Sequence, residues 1–331
     1  MSDPSTQNSP PDMQRIRQVA HDISPYVIRT PTVPWPVPAN VGGPDMELFM
    51  KLELFQRTGS FKARGAINAI AHAIQSSERQ SFAGVTAFSA GNHAIATAYA
   101  AQMLGTTAKV VMPRTANAFR RERCAAYGAE LVFGDSISDL IQIVNRIQAE
   151  ENRHLVHPFE GIHTIEGTAT VGMELCDDLP ALDAVIVPVG GGGLIAGIAL
   201  AVKQMQPQCQ VIGVEPQGAN GMQQSVQQGL PMDIVQVNTI ADSLGAPMHA
   251  PLSFSFVEQY VDDMVCVSDQ QMLEGMQQMF TQMKLAVEPA CAASIAALQT
   301  PLAGRFAGKR VALIGCGSNI DLATYSSLLG R

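Results

Sequence analysis

The sequence predicts an α/β protein built on two doubly wound parallel sheets, and three observations lead there. Short apolar runs alternate with segments of helical period along most of the chain, the mark of parallel sheets covered by helices. Such units are too many for one open sheet, so two are expected. Four unusual segments fall where a strand passes into a helix, the place where ligands of doubly wound sheets bind.

In chain order, residues 1–11 are polar and proline-rich and read as a disordered tail, without the basic region and apolar run of a secretion signal. A helix follows over 12–23, stopped by Pro25. Residues 30–44, with several prolines and the only tryptophan, Trp35, read as an irregular connection. Strand 47–53 then begins the regular pattern: helix 60–75, strand 85–88, helix 91–104, strand 108–112, helix 117–127, strand 130–133, helix 137–152, strand 155–157. The alternation resumes with strand 184–189, helix 194–205, strand 211–215, helix 221–228, strand 264–267, helices 269–283 and 289–298, strand 310–314 and helix 322–329.

Composition narrows the function classes. With 47% apolar and 15% charged residues in a chain of 331, a compact globule with a large core is expected. The formal net charge of −8 argues against nucleic acid or an anionic membrane surface as partner. Residues 184–202 carry no charge, but Pro188 and Gly190 to Gly193 break them into strand, loop and helix. Six cysteines are scattered without metal-like spacing, as buried thiols of a reducing, cytoplasmic setting would be.

The four segments carry the chemistry. Lys62 follows Gly59, Ser60 and Phe61 at the start of a helix, with Ser60 in the N-cap position. The helix dipole and an apolar neighbour push its ammonium towards the neutral amine, a nucleophile for aldehydes. By itself the residue would also serve as a solvated first-turn lysine. Ser89, Ala90, Gly91, Asn92 and His93 form a loop of small residues opening a helix, suited to holding a carboxylate on backbone N–H groups or simply to starting that helix. Gly190, Gly191, Gly192 and Gly193 precede Leu194 and a long apolar helix; bare N–H donors and a helix dipole suit a phosphate. No lysine follows as in a nucleotide P-loop, and only Glu215 is placed to close a ribose site. Finally, Gly315 to Asp321 end the last strand, with Cys316 either a neutral partner for a ring nitrogen or a buried thiol. Together these are the parts needed to hold pyridoxal phosphate and an amino acid.

The motifs SFKARGA, SAGNH, VGGGGLIAGIA, Ala241-Asp242, Glu288-Pro289 and CGSNID, in this order across nearly the whole chain, resemble the serine/threonine dehydratase and serine racemase group of fold-type II pyridoxal-phosphate enzymes. The resemblance implies a fold like the tryptophan synthase β chain, with a large cofactor-binding domain over 12–80 and 154–331, a small domain over 81–153 and the active site in the cleft between them. It implies that Lys62 bonds the cofactor as a Schiff base and later acts as base at Cα, that Phe61 packs on the ring, and that Asn92 bonds the ring hydroxyl. Gly190 to Gly193 with the Leu194 backbone would bind the phosphate, Cys316 would face the pyridine nitrogen, and Ser89 to His93 would take the substrate carboxylate. The implied activity is dehydration of L-threonine, L-serine or a related β-hydroxy amino acid to a 2-oxo acid and ammonia, with a racemase or β-replacement enzyme as the alternative. A homodimer or homotetramer is implied as well.

Several positions depart from that pattern. Ala90 stands where racemising members resemble a serine, and a methyl group transfers no proton. Of the group's divalent-cation site, Glu215 and Ala219 fit but Gly221 replaces an aspartate, so no bound metal is expected. Glu166 adds a carboxylate in the 166–170 turn, either pointing inward to affect substrate choice or lying on the surface at a helix start. Ser243 replaces a usual glycine. His154 and His157, three apart in a strand, point to opposite faces and are rejected as metal ligands.

Overall fold

The computed structural model describes residues 10–37, 41, 45–76 and 82–330. Most of the expected tail, and part of the 30–44 connection, lie outside the described residues.

Helix α1 (Met13–Ile23) begins where the Asp12 side chain accepts from the Arg15 amide at 2.8 Å, satisfying a first-turn donor that has no intrahelical partner. Strand β1 (Thr32–Pro34) pairs antiparallel with β2 (Glu47–Lys51). The connection read as irregular thus contains a strand, and its proline, which cannot donate to a ladder, is tolerated because the strand lies at a sheet edge. The strand expected to reach residue 53 stops at Lys51, and residues 53–55 turn in a 3-10 helix.

Then follow α2 (Lys62–Ser76), β3 (Val85–Phe88), α3 (Asn92–Met103), β4 (Ala108–Pro113), α4 (Ala118–Ala126), β5 (Glu130–Gly134), α5 (Ile137–Glu151) and β6 (His154–Leu155). The remainder is α6 (Ile162–Asp178), β7 (Ala184–Pro188), α7 (Gly193–Met205), β8 (Gln210–Pro216), α8 (Gly221–Gln228), α9 (Pro251–Tyr260), β9 (Asp263–Val267), α10 (Asp269–Met283), α11 (Pro289–Gln299), β10 (Arg310–Ile314) and α12 (Leu322–Leu329).

The strands form two sheets. The smaller, β5-β4-β3-β6, is parallel throughout. The larger, β1-β2-β10-β7-β8-β9, is parallel except for β1. Strand β10, from the end of the chain, lies between β2 and β7. That insertion sets side by side the turns that follow β2, β10 and β7, which are the turns of Lys62, Cys316 and the four glycines. At the centre, β7 is buried at all five positions, and each such Val or Ile side chain contributes roughly 1.5–3 kcal/mol on burial.

Two helices escaped the sequence reading. Helix α6 covers the 166–170 segment taken there for a turn, and 13 of its 17 residues are buried. A helix enclosed on nearly every side shows no apolar stripe, so its period is hidden. Helix α9 starts with Pro251 in its first position, where the missing N–H costs nothing.

Helix α2 is anchored by an ionic cluster. Arg64, fully buried, donates from Nε to Glu53 at 2.9 Å and from Nη1 to Glu174 of α6 at 2.7 Å. Lys51, also buried, donates to the second Glu174 oxygen at 2.8 Å. Every buried charge here has a partner of opposite sign, the condition under which burial is tolerated.

Candidate active site

The turn before α2 is fixed first. Ser60 forms an antiparallel bridge with Gly317, and the Phe61 amide donates to the Cys316 carbonyl at 3.1 Å. Gly59 has φ +75°, and a Cβ there would meet Asn319 Oδ1 at 2.7 Å, so only glycine suits the position. Ser60 is not the N-cap expected from its place: α2 begins at Lys62, and the buried Ser60 hydroxyl has no hydrogen-bond partner among the described residues. Pairing with Gly317 holds Ser60 in extended backbone, away from the helix amides.

These turns, together with the one after β3, surround a cavity of about 420 Å³. Phe61, Lys62, Ser89 to His93, Gly190 to Leu194 and Cys316 all line it. Residues more than 250 positions apart are thereby brought to one place. Glu215 and Ala219 are not among them. The buried Glu215 carboxyl accepts from the Met222 and Gln223 amides at 2.9 and 2.7 Å, and burial pushes its pKa up to about 8, so it acts as an anchor for the start of α8.

Lys62 Nζ donates to the Pro158 carbonyl at 2.5 Å and lies 5.0 Å from the Phe61 ring centroid. Burial pushes its pKa down to about 8, which makes the neutral amine accessible near neutral pH. The two histidines lining the cavity, His93 and His157, are pushed by burial, and then by the Lys62 charge, down to about 3 and about 4. Both are therefore neutral. Cys316 is raised well above an ordinary thiol by its contact with Cys291 and by burial, so it presents a neutral S–H.

Asn92 bridges the two halves of the site. Its Nδ2 donates to Glu288 at 2.6 Å and to Ser243 Oγ at 3.3 Å, while Oδ1 accepts from Asn319 Nδ2 at 2.6 Å. Arg120 of α4 crosses the same cleft, donating from both terminal nitrogens to Asp242 and from Nε to the Asn319 carbonyl. Arg120 had no signal in the sequence, being one basic residue in a charged helix. Glu288 had a partial one, as part of a recognised motif, but only the fold shows its carboxyl against Asn92 with its pKa raised by burial.

Glu166 fits neither of its two expected settings. It is buried within α6, and Arg15 donates to it through Nε and Nη2 at 2.7 and 2.9 Å. Despite burial, hydrogen bonds from His163 and Arg15 hold its pKa down to about 2. It fastens α1 to α6 and does not line the cavity. His157 lies beyond the strand that ends at Leu155 and lines the cavity, whereas His154 is exposed. Among the described residues, no three metal-ligating side chains come together.

The donor set fits a phosphorylated pyridine aldehyde. Gly192, with φ +94°, turns the chain into α7, and a Cβ on Gly191 would lie 2.0 Å from the Phe159 ring. The loop therefore has room for bare backbone only, and the first N–H groups of α7 lack intrahelical acceptors. An amine, a neutral thiol and an amide stand on the other side.

A family model described as pyridoxal-phosphate dependent enzyme matches residues 23–317. A phenylserine dehydratase of Ralstonia pickettii is 48% identical over 287 residues, covering 87% of this chain and 87% of that protein. An L-threonine ammonia-lyase of Thermotoga maritima is 37% identical, covering 86% of this chain and 70% of that protein. The structure of maize serine racemase superimposes with a TM-score of 0.86 at 34% identity, covering 96% of this chain and 97% of the other.

Proposed function

The chain belongs to the pyridoxal-phosphate dependent enzymes, in the group of hydroxy-amino-acid dehydratases, and from that premise we propose that it converts an aromatic β-hydroxy amino acid of the phenylserine type to a 2-oxo acid and ammonia. The observation that carries the reaction is Lys62: an enclosed amine with its pKa lowered to about 8, facing a glycine phosphate cradle across one cavity. The relative of 48% identity supports the aromatic substrate. Threonine and serine, expected from the motifs, become secondary substrates.

The residues that would hold pyridoxal phosphate are Lys62, Phe61, Asn92, Gly190 to Gly193 with Leu194, and Cys316. The bound cofactor supplies an electron sink for the Cα–H bond. The N–H groups of Ser89 to His93 hold the substrate carboxylate and so set which bond at Cα faces Lys62. Lys62 Nζ, oriented by the Pro158 carbonyl, removes the Cα proton. The electron pair left at Cα expels the β-hydroxyl, which takes the proton held on Lys62 Nζ and leaves as water, and the released enamine hydrolyses to 2-oxo acid and ammonia. The neutral Cys316 thiol would hold the cofactor ring without adding a formal charge. Ala90 lines the cavity without a transferable proton, which disfavours return of a proton from the face opposite Lys62 and hence racemisation.

We place His154 and Leu155 with the smaller domain, expected over 81–153, because they pair with β3; the described residues of 12–76 and 156–330 would form the larger one. A homodimer or homotetramer belongs to the proposal, as the family resemblance implies, and sedimentation reads it directly.

The test is 2-oxo acid release by purified protein with added pyridoxal phosphate, from phenylserine, threonine, serine and 3-hydroxyaspartate. Phenylserine is expected to lead. Accumulation of D-isomer without 2-oxo acid would replace the dehydratase with a racemase.

A further inference from the structure

We propose that the aryl group of the substrate is received by an apolar wall formed by Phe88, Pro113, Ile137, Leu140 and Ile141, and that the first turns of α5 determine substrate choice. This rests on the aromatic dehydratase reading above and names the residues that would enforce it.

All five side chains line the cavity, and none carries a hydrogen-bonding group. Phe88 ends β3 and immediately precedes the Ser89–His93 loop. An amino acid whose carboxylate rests on that loop therefore shares one cavity with this wall. Phe88 and Leu140 pack in one apolar cluster with Val111 and Val144, which fixes the back of the wall. Ile137 is 53% exposed and Ile141 half-buried, so their apolar surface is available for a ring to cover.

The polar groups beside the wall are engaged elsewhere. Ser136 Oγ accepts from the Asp139 amide at 3.1 Å as the N-cap of α5, and the exposed Asp135 is paired with Arg114 at 2.8 Å. Among the described residues, and apart from the neutral histidines, the lysine and arginine side chains lining the cavity are Lys62 and Arg120, and Arg120 is bound by Asp242 and the Asn319 carbonyl. A second substrate carboxylate against this wall would be desolvated without a partner, which is unfavourable. The site thus selects by apolar contact and also by withholding a cation.

The experiment compares kcat/KM for phenylserine and for threonine in the holoenzyme and in two variants. In the double variant Ile137→Ala/Ile141→Ala the phenylserine-to-threonine ratio is expected to fall on the order of 10-fold or more, mainly through KM, because uniform binding to the ring is lost. In Ile141→Phe, which fills the wall, the same ratio falls while the fold is not hollowed out. Leu140 is left intact because it is core. A wild-type enzyme inactive on phenylserine overturns the substrate reading and the wall with it. An active wild type whose ratio stays within about 2-fold in both variants overturns the wall alone.

Discussion

Lys62 and Arg64 stand two residues apart at the start of α2, both cations taken largely out of water, and their surroundings drive them in opposite directions. Arg64 faces two carboxylates, Glu53 and Glu174, whose charges raise its pKa against the effect of burial. Lys62 faces a carbonyl, two neutral histidines and a neutral thiol, and burial lowers its pKa to about 8. Burial alone therefore does not decide whether a cation becomes a base; the presence or absence of a counter-charge does. One turn of helix carries both a structural anchor and an amine of lowered pKa because α6 supplies its carboxylate to only one of them.

Removing the amine is the largest break of that contrast. In Lys62→Ala, 2-oxo acid release is expected to drop on the order of 10⁴-fold, the upper range for loss of a general base, and the yellow absorbance of the holoenzyme should vanish. A variant that stays yellow and active would place the reactive lysine elsewhere.

The anchor side of the comparison is tested by Arg64→Met. It leaves Glu53 and Glu174 buried with less positive charge, and urea denaturation should show a loss of about 3–5 kcal/mol. Stability equal to wild type would mean that the cluster contributes nothing net.

The protonation of Lys62 itself is read from pH. In cofactor-free protein, the rate at which added pyridoxal phosphate produces visible absorbance should rise about tenfold per pH unit below about pH 8 and level above it, since only the neutral amine attacks. A rate still climbing through pH 10 would indicate an ordinary solvated lysine.

Smallest is the effect at Glu166, a charge pair whose arginine side chain is 41% exposed. Glu166→Gln should cost about 1 kcal/mol and leave the ranking of substrates unchanged. A reordered ranking would return Glu166 to the substrate site.

How much of this was legible depends on the range of the physics involved. Lys62, the four glycines and the Ser89–His93 loop could be read directly because a helix start and a bare backbone are local features. The strands and most helices were legible for the same reason, since alternation and periodicity act over a few residues. Helix α6 was hidden because its period is erased when nearly every face is buried. Ser60 was misread because a strand-like bridge to Gly317, 257 positions away, outcompeted a local cap. Arg120 and Glu166 carry no local mark of what they bond.

The sequence by itself determined the class of fold and the cofactor, and singled out Lys62 as the residue proposed to react, because each rests on short-range chemistry that any tertiary arrangement would have to respect. Only the tertiary structure decided which charges meet. Inserting β10 between β2 and β7 put Cys316 beside Lys62, packing α6 against α2 gave Arg64 its second carboxylate, and bringing α5 to the cavity placed Ile137 and Ile141 on its wall. Pairings across such separations follow from the order of strands in a sheet, which no local pattern encodes.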